Sequence, residues 1–116
     1  MTQDLKRFLP LSPAALHILL SLAGEERHGY GIMQDVARQS NGRYRLGPGT
    51  LYDNLQKLLK ERIVEETENS STGAESRRRY YRLTKLGRAV LSTEIARLEE
   101  AIREAKLHLG FQRSAL

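Results

Sequence analysis

Between residues 91 and 109 the apolar side chains Leu91, Ile95, Leu98, Ile102, Ala105 and Leu109 recur at intervals of four, three, four, three and four. Only an α-helix gathers that spacing onto one stripe, and the interval pattern is that of a heptad seam. Thr84, whose hydroxyl can accept from the orphan N–H groups of a first turn, marks where such a helix begins. A helix of roughly 25 residues runs about 37 Å at 1.5 Å per residue. A single domain of 116 residues is too small to cover that rod along its length. The stripe therefore predicts pairing with the same stripe of a second copy, with packing inside one subunit as the alternative.

The rest of the chain reads as shorter elements. Ser12-Pro13 is a helix start, and the body that follows, Ala14–Ala23, is apolar almost all round apart from His17 and Ser21, so it expects cover on both sides. Gly24–Gly29 is a polar break, and Tyr30–Arg38 reads as a second amphipathic helix ending before Asn41-Gly42. A third helix follows Gly47-Pro48-Gly49, with Leu51, Leu55, Leu58 and Leu59 as its core stripe and Gly49, Thr50, Asp53, Gln56, Lys57 and Lys60 on the opposite face. Arg62–Glu68 and Arg77–Leu83 are strand-like and enclose a small, polar segment, which predicts a β-hairpin with a long tip. The expected fold is mainly α with a small β-hairpin (α+β). It is a winged helix-turn-helix domain over residues 1–83 with an N-terminal arm at 1–11, a dimerisation helix at 84–109 and a flexible tail at 110–116.

Composition narrows the function. Nineteen Lys/Arg against fourteen Asp/Glu give a net charge of +5, which favours polyanionic partners. The absence of cysteine removes disulfides, thiolate nucleophiles and Cys-type zinc sites. Three scattered histidines without a His-Glu ligand spacing predict no metal, and no phosphate loop or nucleophile motif predicts an enzyme or a cofactor. With no signal-peptide pattern and no long apolar run, the expectation is a cytoplasmic protein with no membrane partner.

Two local clusters point to double-stranded DNA. The third helix opens with N–H groups at Gly49 and Thr50 that can meet a phosphate, and Asn54 and Lys57 are candidates for reading base edges. Asp53 has two readings, an acceptor for a cytosine amino group or a solvated carboxylate. Alternation along the last strand sends Arg77, Arg79, Tyr81 and Leu83 to one face and Arg78, Tyr80 and Arg82 to the other. Tyr81 and Leu83 are expected to face inward, leaving Arg77, Arg78 and Arg79 to reach the DNA backbone or minor groove. A winged helix that meets an acidic protein partner through the same basic wing, without binding DNA, is the alternative.

His28-Gly29-Tyr30-Gly31-Ile32, Gly49-Thr50-Leu51-Tyr52 with Leu55 and Leu58, and Arg79-Tyr80-Tyr81-Arg82-Leu83-Thr84 followed by Gly87 resemble the signature segments of the PadR family of bacterial transcription regulators, from about Leu11 to Leu109. The resemblance implies a homodimer that binds a palindromic operator, usually as a repressor, and responds to an effector. The single C-terminal helix is similar to the smaller members, in which it pairs with the first helix and can enclose an aromatic or drug-like ligand. In that light Tyr30 and Tyr52 are carried over as phosphate-positioning hydroxyls, the alternative for each being a half-buried ring that closes the core. His17 and Ser21 are candidates to line an effector cavity. Two departures stand out: Arg62 occupies a corner where the family commonly has glycine, and the chain lacks the tryptophan from which some relatives build an aromatic cage.

Overall fold

The computed structural model describes residues 4–68 and 79–110. The expected wing tip, Arg77, Arg78 and the tail beyond Gly110 lie outside the described residues. Helix α1 spans Pro13–Gly24, α2 Gly29–Gln39, α3 Pro48–Lys60 and α4 Lys85–Leu109. The first starts where a hydroxyl and a proline coincide: the Ala15 N–H donates to Ser12 Oγ at 3.1 Å. Thr84 caps α4 in the same way, its Oγ1 accepting from the Gly87 N–H at 2.9 Å. Ile18, Leu19 and Leu22 of α1, Ile32 and Val36 of α2, and Leu51, Leu55 and Leu58 of α3 close one core, joined by Val90 and Leu91 of α4. The boundary expected at residues 83/84 therefore does not separate two cores, because the opening turns of α4 are part of the helix-turn-helix interior.

The sheet has one strand more than the sequence suggested. Strands β2 (Val64–Thr67) and β3 (Tyr80–Leu83) pair antiparallel, with Val64 opposite Leu83 and Thr67 opposite Tyr80. A two-residue strand β1 (Arg27–His28), inside the polar break, pairs with the other edge of β3 and makes it the central strand. This explains Tyr80. Alternation places it on the face opposite Tyr81, yet both are buried, because His28 of β1 meets the Tyr80 ring edge-on at 5.2 Å.

Two turns fix how α3 enters and leaves. At the end of α2 the Gly42 N–H donates to the Ala37 carbonyl and the Asn41 N–H to the Arg38 carbonyl, with Asn41 left-handed at φ 54°. At the end of α3 the same 6→1 and 5→2 bonds run from Ile63 to Leu58 and from Arg62 to Leu59, and Arg62 is left-handed at φ 63°. The corner thus keeps the geometry that glycine serves and holds an arginine in it.

The N-terminal segment is docked against α4. Asp4 caps a 3-10 turn at Leu5–Phe8, and the Leu11 N–H donates to Glu94 Oε2 at 3.0 Å. Glu94 is 1% exposed and also accepts from Arg97 Nε at 2.6 Å. The hydrogen bonds from Arg97 hold its carboxyl below the usual range, burial opposes them, and the Leu11 amide adds to the lowering. A second buried carboxylate, Asp35, ties α2 to the chain before it through Arg27 at 3.5 Å and pairs within the helix with Arg38 at 2.9 Å. Burial alone pushes Asp35 up, but the bonds from Arg38 and Gln39 and the nearby guanidinium charges bring it below its ordinary value.

A left-handed non-glycine residue costs roughly 1–2 kcal/mol, part of which glycine returns through its unfolded-state entropy. Arg62→Gly is therefore expected to raise stability by about 1 kcal/mol, read as a higher denaturation midpoint at unchanged slope; a lower midpoint would place a needed contact on the Arg62 side chain. Glu94 titrates near 4.5 when unfolded and lower when folded. Its contribution is complete above pH 4.5 and fades as pH falls through the native value. Glu94→Gln should cost about 1–3 kcal/mol at neutral pH and flatten the loss of stability below pH 4.5. An unchanged acid limb in denaturation across that range would remove Glu94 from the account.

Candidate nucleic-acid interface

Helices α1, α2 and α4 are each closed by a side chain at the N-terminus: Ser12, His28 and Thr84 accept from Ala15, Gly31 and Gly87. Helix α3 is not, since Gly47 provides no side-chain cap, and the residues bearing the free N–H groups, Gly49 and Thr50, are exposed. The start of α3 therefore presents unsatisfied donors and the positive end of its dipole to solvent.

Helix α2 and β3 flank it. The Tyr52 hydroxyl rests against Gly29, where a Cβ would lie 2.2 Å from the oxygen. Tyr30 is 59% and Tyr52 45% exposed, so neither ring closes the core. Both line a cleft with His28, Arg79 and Tyr81. Burial above all keeps the Tyr81 hydroxyl protonated, with the Glu66 charge and Tyr52 adding and Arg79 opposing. A phosphate in this cleft would meet the Tyr30 and Tyr52 hydroxyls and the Arg79 guanidinium together.

The outward face of α3 carries Asp53, Gln56, Lys57 and Lys60, all exposed. Asp53 and Gln56 lie toward the wing, in a groove with Tyr52, Glu66 and Arg79. Asn54 is on the other flank. It is half-buried, its Nδ2 donates to the Thr50 carbonyl at 2.8 Å, and with Lys57 it lines a groove beneath the N-terminal segment. Its amide donors are partly spent on its own helix.

Charge is distributed differently from the sequence impression. Arg79 pairs with Glu66 at 3.5 Å and Arg82 with Glu65 at 2.7 Å. Exposed pairs of this kind are worth at most about 1 kcal/mol, so a phosphate can displace them. Lys57 and Lys60, together with Arg43 and Arg45 just before α3, have no carboxylate partner among the described residues. The last two went unnoticed as site residues. Their signal was the alternation Arg43-Tyr44-Arg45-Leu46.

The pair expected at an effector cavity is engaged within the subunit. Ser21 is 1% exposed and donates to the Ile18 carbonyl, so its hydroxyl is not offered to a ligand. His17 Nδ1 bonds to Gln39 Oε1 at 2.9 Å while its ring stacks on Tyr44 at 4.6 Å. The heptad stripe is divided: Leu91 is 7% exposed in its own core, Ile95 and Leu98 are half-buried, and Ile102, Ala105 and Leu109 are exposed. No helix among the described residues is long and apolar enough to cross a membrane.

Residues 18–93 match the family model described as the transcriptional regulator PadR-like family. The chain is 38% identical over 89 residues to Transcriptional regulator Rv3488 of Mycobacterium tuberculosis, covering 77% of this chain and 78% of that protein. Among solved structures it is similar to a PadR family transcription regulator of Clostridium difficile, with a TM-score of 0.63 at 24% identity over 84% of this chain and 98% of that one. Bacillus subtilis PadR in complex with operator DNA matches with a TM-score of 0.63 at 22% identity over 74% of this chain and 48% of that one. At these identities the two solved structures speak for a shared winged-helix fold.

A methyl group on Gly29 would force the Tyr52 ring from its place. Gly29→Ala is expected to keep the helical circular-dichroism signal and to weaken binding to a DNA duplex by about tenfold, the scale of one charge-assisted hydrogen bond. Unchanged affinity would show that the position of Tyr52 is immaterial.

Proposed function

This chain belongs to the PadR-like family of transcriptional regulators, and on that premise we propose that it is a homodimeric repressor which binds a palindromic DNA operator and is released by a small effector. The observation that carries the reading is the uncapped start of α3, flanked by the Tyr30, Tyr52 and Arg79 cleft and followed by two unpaired lysines. A helix with free N–H groups at its tip and cations along its outer face suits the major groove, where the tip anchors on phosphate. Base reading then falls to Asp53, Gln56 and Lys57, while Asn54, tied to Thr50, orders the helix. Arg77 and Arg78 adjoin Arg79 in the sequence and extend its backbone or minor-groove contacts.

The dimer rests on the distal part of α4. Ile102 is 53% and Leu109 68% exposed, on one face of an element that outruns its own core. Burying each of them against a second copy contributes about 1.5–3 kcal/mol. Two-fold pairing there sets two α3 helices to meet half-sites about 34–36 Å apart. An aromatic or drug-like effector fits between subunits, against the exposed Leu20 of α1 and distal α4. From there it changes the separation of the reading heads. His17 contributes through its ring edge, and Ser21 takes no part.

Titration of the protein with a random-sequence duplex at rising salt tests the DNA reading. A steep fall of affinity with salt is expected, and Arg79→Ala should make that slope shallower by about one unit. No binding in dilute buffer would leave the protein-partner alternative. For the dimer, Ile102→Asp is expected to sediment as a folded monomer with weakened operator binding; a stable dimer after that change would put the interface elsewhere.

A further inference from the structure

The turn between α2 and α3 is built as carefully as the helices it joins. Asn41 and Gly42 are both left-handed. Ser40 Oγ accepts from the Tyr44 N–H at 2.9 Å and donates to the Tyr44 carbonyl at 3.0 Å. The Tyr44 ring stacks on His17 of α1, and Leu46 is buried. With Tyr44 and Leu46 held inward, Arg43 and Arg45 are turned outward, and both are exposed immediately before the open start of α3. Arg45 folds toward Gly42, where a Cβ would come within 3.3 Å of Nη2. Its guanidinium lines a surface groove with Tyr30, Gln34 and Arg38, and among the described residues no carboxylate lines that groove. Arg38 is committed to Asp35, so Arg45 is the unpaired cation there.

We infer that this groove is a second phosphate clamp, in which Arg45, assisted by Gln34, grips the DNA backbone beside the start of α3. The inference rests on the proposed DNA-binding function and adds to it a contact that the wing and α3 do not supply. Its chemistry is that of a phosphodiester: one delocalised cation with a planar fork of donors, a neutral amide, and no opposing anion among the described residues. Because the turn is already fixed by Ser40 and Tyr44, gripping a phosphate there orders only the arginine side chain.

The test compares Arg45→Ala, Arg45→Lys and, as a control, Arg88→Ala, an exposed cation at the base of α4 without a carboxylate partner among the described residues. Each is titrated with a random-sequence duplex across a range of salt, beside its melting temperature. Arg45→Ala should melt like the parent, bind several-fold more weakly and lose about one unit of salt slope. Arg45→Lys should recover the slope, and Arg88→Ala should keep it. If the parent binds the duplex but Arg45→Ala keeps its slope, or loses no more than Arg88→Ala, the clamp is overturned while the DNA reading stands. If the parent does not bind the duplex at all, both fall.

Discussion

The arrangement of the whole chain turns on one backbone carbonyl, that of Ile63. It accepts from the Thr84 N–H at 3.1 Å, the Thr84 hydroxyl donates to the adjoining Arg62 carbonyl at 2.6 Å, and the Ile63 N–H closes the end of α3 on Leu58. A Cβ on Gly87 would stand 2.1 Å from the same oxygen, so the first turn of α4 rests directly on it. Helix α3, the base of the strand pair and α4 therefore meet at a point with no room to slide. Two packed elements that share a buried hydrogen-bonded backbone group move as one body, because separating them strands a polar group without water. In the proposed dimer, a change of angle at the distal end of α4 would thus be carried to α3 as a rotation of the entire head.

Much of this was legible in the sequence because it depends on local chemistry. Ser12-Pro13 and Thr84 declare helix starts, Asn41-Gly42 declares a stop, and the leucine stripe of α3 follows from period alone. What escaped was everything whose cause is distant. Strand β1 is two residues long, too short to show any alternation, and exists because β3 has a free edge to offer. Glu94 looks like one more charge on a solvated helix, yet it is buried because the N-terminal segment folds back 83 residues to bring it the Leu11 N–H. The heptad spacing marks a stripe correctly but cannot say which of its members the subunit covers by itself; only packing separates Leu91 from Ile102.

The candidate interface divides along the same line. Residues placed by their own helix, such as Gly49, Thr50 and Lys57, lie where periodicity puts them. Tyr52 needed the close approach of Gly29 to define its position, and Asn54 needed the Thr50 carbonyl. The arginine-rich segment that runs into β3 dominates any charge count, but the two of its cations that are described, Arg79 and Arg82, face Glu66 and Glu65 across the strand pair. Ranking cations by density in the sequence overlooks this, because neutralising carboxylates arrive from the neighbouring strand. Ranking them by the absence of partners brings forward Arg43 and Arg45 instead.

A capping side chain stabilises a helix by about 1 kcal/mol, and among the described residues three of the four α-helices have one. Helix α3 forgoes that stabilisation with Gly47, and Pro48 at its first position limits the loss by removing one orphan donor. The donors that remain, at Gly49 and Thr50, are exposed. A hydroxyl at position 47 would satisfy them from within and leave nothing for an anion to gain. On the proposed DNA-binding reading, the small deficit in helix stability and the room left for a phosphate are the same feature, and a stabilising cap at position 47 would work against binding.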